Sequence, residues 1–292
     1  MLFRSVENQL GYALAEAYVQ TFDGKAIKAK TEAMIAQIKG TFVDDLRSLT
    51  QGPEGWMDEK SAAEAREKAG SLAQKVGGPE KWRDYSSLRI GTSSYLRNVM
   101  EAARFESKRD AAKIGKPVDR SEWNMMPWEI NAYYDRSKNE FNFPFGILQP
   151  PSLDLSATAG ANLGAFGGGT IGHELIHGFD NNGSQYDRNG NVKNWWSEIT
   201  LRQFQEKSRC YVDQADAYKV KLTGLAVNGK NTLEENLADQ GGVKLGYAAL
   251  ERELALRPLG PSWHGYDERQ QYWIAYARSE EHTSELQSLA YL

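Results

Sequence analysis

His173 and His177 stand four residues apart, with Glu174 beside the first, in the run His173-Glu174-Leu175-Ile176-His177. On a helix, positions i and i+4 share one face. Two imidazoles can therefore reach one metal ion while Glu174 lies close enough to act on that metal's water. Only four histidines occur in 292 residues, so this spacing is uncommon as a chance arrangement of helix-surface histidines. A catalytic zinc needs three protein ligands and an open position. The best third candidate is Glu235, in Glu235-Asn236-Leu237-Ala238-Asp239, 58 residues after His177. Glu235 and Asp239 share a helix face, so one carboxylate could bind metal while the other holds a ligand imidazole. Thr232-x-x-Glu235 is equally a capping box with Glu235 at N3, and spacing alone leaves ligand and cap even.

The elements that must hold these groups read as mostly helical. Val6–Phe22 carries Leu10, Leu14 and Val19 at near-helical spacing, and Ile27–Leu49 carries Ile35, Ile38, Phe42 and Leu46. Gln51-Gly52-Pro53-Glu54-Gly55 interrupts the pattern. A charged helix over Glu59–Val76, rich in Ala, Glu and Lys, reads as a solvated face, and Gly77-Gly78-Pro79 breaks the chain again. After Pro127, Ile130-Asn131-Ala132-Tyr133-Tyr134 and Glu140-Phe141-Asn142-Phe143 read as two strands of a hairpin around Asp135–Asn139. Pro144–Pro151 is a stiff connector. The small-residue run Ala157–Gly169 leads into the histidine helix, Asp180–Asn194 is turn-rich, a helix covers Ser197–Lys219, and Thr232 opens another. The expected fold class is mainly α with a small β-sheet (α+β), built around the HExxH helix. Residues 6–126 form a helical region leading into a catalytic core at 127–277.

Bulk properties are those of an ordinary globular chain, with 40% hydrophobic and 25% charged residues. A net charge of −4 carries no basic footprint for nucleic acid. No apolar run approaches the ~20 residues needed to span a bilayer, and the N-terminus lacks the apolar core of a signal peptide. The single cysteine, Cys210, excludes an internal disulfide framework and reads as a small core residue rather than a nucleophile. Gly167-Gly168-Gly169-Thr170-Ile171-Gly172 matches the dinucleotide fingerprint, but no hydrophobic strand precedes it and HExxH occupies the helix it opens. A nicotinamide-binding oxidoreductase would rest on that run alone. Asn182-Gly183-Ser184 is a glycosylation sequon by pattern only.

Longer motifs carry a family resemblance. Asn131-Ala132-Tyr133-Tyr134, Phe143-Pro144 with Gly146-Ile147-Leu148-Gln149-Pro150-Pro151, Ile171–Asp180, Trp195-Trp196 and Glu235-Asn236-Leu237-Ala238-Asp239-Gln240-Gly241-Gly242 together resemble the catalytic region of neprilysin-type zinc metallopeptidases, including bacterial neprilysin-like oligopeptidases. The resemblance implies a zincin-like domain with one Zn²⁺ per chain, ligated by His173, His177 and Glu235. It implies Glu174 as the catalytic base, with Asp180 and Asp239 as carboxylates orienting the ligand histidines. Asn131 and Ala132 would line the cleft, where an extended peptide pairs with an exposed strand edge. The implied substrates are oligopeptides and the implied setting is extracytoplasmic, periplasmic or secreted, in a bacterium.

Several stretches depart from the family pattern. Arg278–Ser288 resembles the translated read-through of a sequencing-library adapter, and Leu2-Phe3-Arg4-Ser5 the end of the opposite one. Residues 1–5 and 278–292 are therefore expected to be adapter-derived tails on an internal fragment truncated at both ends. The family pattern continues beyond that point with a histidine for the oxyanion and an arginine for substrate backbone. His264, in the loop Pro261–Gly265, lies too early for the first role, and His282 falls in the suspected tail. The chain as written is thus expected to bind zinc poorly or turn over slowly, and a non-catalytic zinc- and peptide-binding module is the alternative reading. Ser152-Leu153 and Gly169-Thr170 stand where relatives carry larger apolar residues, so cleavage specificity does not transfer.

Overall fold

Helix α2 (Lys25–Ser48) buries Met34, Ile35, Ile38, Phe42 and Leu46, the i, i+3/i+4, i+7 stripe of a helix with one face against a core. The computed structural model describes residues 2–21, 24–51, 55–221 and 223–290, with side chains for 6–21, 24–51, 55–221 and 223–279. Phe22, the breaker residues Gly52-Pro53-Glu54 and the last two residues lie outside the described residues. So do the side chains of Leu2–Ser5 and His282. Helix α1 (Leu2–Val19) kinks at Leu10 and precedes α2.

Helix α3 (Glu59–Gly70) starts at Asp58, whose carboxylate accepts from the Ser61 N–H, and packs Ala62, Ala65 and Ala69 inward. The charged helix expected to run to Val76 stops at Gly70. Ala73–Gly77 is instead strand β1, paired in parallel with Glu140–Pro144. Gly70 and Ser71 end the helix, and the residues beyond gain a full ladder of sheet partners. The expected solvated face is also corrected at one position, because Lys68 is 1% exposed.

After α4 (Tyr95–Ala111) come β2 (Tyr133–Asp135) and β3 (Glu140–Pro144), antiparallel, giving the sheet order β1-β3-β2. β3 is buried throughout, and β2 is an edge strand with its outer side unpaired in the sheet. The hairpin is present, but its first strand begins at Tyr133 rather than Ile130. Tyr133 lies opposite Asn142, so extending the ladder would bring Asn131 opposite Pro144, which has no N–H to offer.

The small-residue run continues the helical path. Helix α5 (Ala159–Asn162) passes into a widened, π-helical stretch, Leu163–Gly172, and then into α6 (His173–His177). Helix α7 (Glu198–Asp216) is capped by Ser197. Helix α8 (Leu233–Leu254) packs along Leu163–Gly172 and α6, and α9 (Glu268–Ala290) covers the same stretch from the other side. A Cβ on Gly172 would stand 2.8 Å from the Gly242 Cα. The two backbones therefore touch, and the glycines that mimic a dinucleotide motif serve this crossing. Cys210 is exposed on α7, not in the core, since the inward positions there are Thr200, Ser208 and Ala215. The molecule is mainly α with one small sheet, as its composition of elements implies, and the described residues include no helix long and apolar enough to cross a membrane.

Candidate active site

Helix α6 presents His173 and His177 side by side, with their Nε2 atoms 3.0 Å apart. The first turn of α8 brings Glu235 to the same point, its Oε2 lying 3.3 Å from the His173 Nε2 and 3.6 Å from the His177 Nε2. Thr232 makes no side-chain cap bond to α8, so Glu235 faces the imidazoles and takes no part in a capping box. Tetrahedral ligands about 2.0–2.1 Å from a zinc lie roughly 3.3–3.4 Å from one another, and these three separations bracket that spacing. The donor set, two imidazoles and a carboxylate, also suits zinc.

Each imidazole has a carboxylate on its far nitrogen. His173 Nδ1–H donates to Asp239 Oδ1 at 2.7 Å, and His177 Nδ1–H donates to Asp180 Oδ2 at 2.8 Å. An ionised carboxylate only accepts, so both rings carry a proton on Nδ1 and turn Nε2 toward the shared point. Burial pulls the His173 pKa down, but the Asp239 and Glu235 carboxylates overcome it and raise it to about 10. The surroundings thus favour positive charge at that ring. Glu235 is held below the usual carboxylate range, first by its hydrogen bond with His173.

Glu174, 7% exposed, is pushed up by burial. The two histidines and a backbone hydrogen bond from Tyr134 in β2 oppose the shift, while Glu235 adds to it. A carboxylate with a raised pKa beside two imidazoles is suited to taking and returning a proton. Asn131 and Ala132 lie just ahead of β2. Asn131 is exposed and its Oδ1 accepts from the Ala132 N–H at 2.9 Å, while Ala132 is buried.

Several residues at the site escaped the sequence reading. Glu234 pairs with Arg136 from the β2–β3 turn and accepts from the Asn182 side chain, which ties the first turn of α8 to both neighbouring turns. Its only signal was its place next to Glu235. Lys68 donates to the Gly178, Gly183 and Tyr186 carbonyls at 2.7, 2.8 and 2.6 Å. Burial lowers its pKa, and Asp180 and Asp187 oppose the shift. Nothing in an Ala/Glu/Lys-rich helix distinguishes this lysine from its exposed neighbours.

Comparison with known proteins places this chain in a family. The model of peptidase family M13 matches residues 131–290, and its N-terminal counterpart matches residues 2–79. Neprilysin-3 of Drosophila melanogaster is 37% identical over 260 residues, 86% of this chain and 32% of its own length. Human endothelin-converting enzyme 1 is 35% identical over 84% of this chain and 32% of its own length. The chain thus spans about a third of the length of these curated relatives. Among solved structures, the Mycobacterium tuberculosis zinc metalloprotease Zmp1 in complex with an inhibitor superposes with a TM-score of 0.85 at 33% identity. That match covers 94% of this chain and 41% of the other. PepO from Lactobacillus rhamnosis gives 0.78 at 31% identity, with 94% and 41% covered. With a family model matched across more than half its residues, the chain belongs to peptidase family M13, the neprilysin family.

Proposed function

We propose that this chain is the catalytic part of a zinc-dependent endopeptidase acting on oligopeptides. His173, His177 and Glu235 would hold one zinc, and Glu174 would serve as the general base. The observation that supports this most directly is the convergence of three donor atoms at 3.0, 3.3 and 3.6 Å, each imidazole being backed by a carboxylate. A zinc at those donors supplies a Lewis acid that lowers the pKa of water to near 7 and polarises the scissile carbonyl. The chain's own groups do the rest. Asp180 and Asp239 fix the imidazole tautomers and strengthen both ligands. Glu174, steadied by the Tyr134 backbone, accepts the proton of the attacking water and returns it to the departing amine. The unpaired edge of β2, with Asn131 and Ala132 before it, offers backbone groups to an extended peptide. No covalent intermediate is involved, and the family resemblance favours an extracytoplasmic setting.

The test combines zinc content with cleavage of a quenched peptide, with and without chelator. Glu174→Gln should retain zinc and lose about 10²–10⁴ in turnover; full activity in that variant would remove Glu174 from the role. Zinc binding together with peptide binding but no chelator-sensitive cleavage would favour the second reading, a non-catalytic peptide-binding module.

A further inference from the structure

We propose that Lys68 is a positioning residue for His177, acting through the backbone of the turn that carries Asp180. The inference rests on the zinc reading of the site. Lys68 comes from α3, far from α6 in sequence, and is 1% exposed. An ammonium has three N–H donors and no acceptor. Here each donor has one carbonyl, on Gly178, Gly183 and Tyr186, at 2.6–2.8 Å. Those carbonyls span the whole turn, beginning at the residue that directly follows His177.

The path onward is continuous. The Gly183 and Asn182 N–H groups donate to Asp180 Oδ1 at 2.6 and 2.8 Å, and the other oxygen of Asp180 accepts from His177 Nδ1–H at 2.8 Å. The turn has little room to settle elsewhere, because a Cβ on Gly183 would fall 1.8 Å from the His177 carbonyl oxygen. Phe179 and Trp195 flank the ammonium with ring centroids 5.4 and 5.7 Å away. The Lys68 backbone is itself anchored, its carbonyl accepting from the Asn139 side chain at 3.0 Å. A buried ammonium facing three carbonyls fixes their directions, and through them the carboxylate behind the imidazole.

Charge and position predict opposite signs, so they can be separated. Removing a cation near a zinc site should, by Coulomb's law alone, tighten zinc binding. Freeing the turn should weaken it, as loss of partners behind metal ligands does by 10–100-fold. Lys68→Met keeps the stem and removes the charge and all three donors. In competition with a chromophoric chelator, at a temperature where circular dichroism shows both proteins folded, it should bind zinc about tenfold more weakly than the parent. In an Asp180→Asn background the same change should cost little more, because both act on one imidazole. Unchanged or tighter zinc binding in Lys68→Met, or a loss that simply adds to that of Asp180→Asn, would overturn the inference. If Lys68→Met does not fold, Lys68→Gln retains two N–H donors and should show a smaller loss; unchanged affinity there would overturn it equally. A parent chain that binds no zinc would bring down the zinc reading and this inference with it, whereas a zinc-binding parent matched by its variant brings down the inference alone.

Discussion

His173 and His177 face the same point from one helix, yet they are supported in unlike ways. His173 leans on Asp239, 66 residues along the chain on α8, whose side chain is 36% exposed. Its alignment depends on the α6–α8 crossing, where backbone meets backbone at Gly172 and Gly242. His177 leans on Asp180, three residues away and fully buried. Its alignment depends on hydrogen bonds, from Lys68 and from the turn's own amides. One half of the site is positioned by close backbone packing, which tolerates no added volume. The other is held by polar contacts, which tolerate little loss of charge or donors.

The largest test of this contrast is zinc affinity. Asp180→Ala should approach a 100-fold loss and Asp239→Ala should remain nearer tenfold, both read by chelator competition, because the buried carboxylate has no water to replace it. Equal losses would erase the distinction. Next comes the packed half. Gly242→Ala would place a Cβ 2.5 Å from the Gly168 carbonyl oxygen and 2.6 Å from the His173 nitrogen, so α8 must move. Urea unfolding should show a loss of about 1–3 kcal/mol, with zinc affinity falling alongside. The smallest effect concerns acid. Asp58, which caps α3 and accepts from Ser197 and Thr200, is pushed up by burial but brought down to about 2 by those hydrogen bonds. A depressed carboxylate adds stability above its unfolded pKa, near 4, and that contribution disappears as pH falls through about 2. Asp58→Asn keeps a capping oxygen but loses the charge, so it should cost about 1 kcal/mol at pH 6, and the gap to the parent in thermal melts should close toward pH 2. A pH-independent gap would mean that the ionised Asp58 carboxylate adds nothing to the α3 cap beyond its hydrogen bonds.

The parts legible in sequence were those with fixed spacing. Two histidines at i and i+4 need only a helix to share a face, and Glu235 and Asp239 repeat that logic 58 residues later. Whether Glu235 caps its helix or turns toward the histidines depends on the direction of its side chain, which spacing does not give. Lys68 and β1 were illegible for a common physical reason. A lysine is buried only when distant carbonyls happen to receive it, and Ala73–Gly77 is a strand only because β3 lies beside it. The strand at Tyr133 was displaced by one proline on its partner. The widened helix before His173 left no mark beyond small residues that suit several conformations.

The proposed ligands belong to two helices, the pair on α6 and Glu235 in the opening turn of α8. A shared ion would then act as a rivet across the loop between them, and withdrawing it should loosen α8 unevenly. Amides near Leu233–Asp239 should exchange with solvent faster in chelator, while those past Gly242, wedged against the histidine helix, keep their protection.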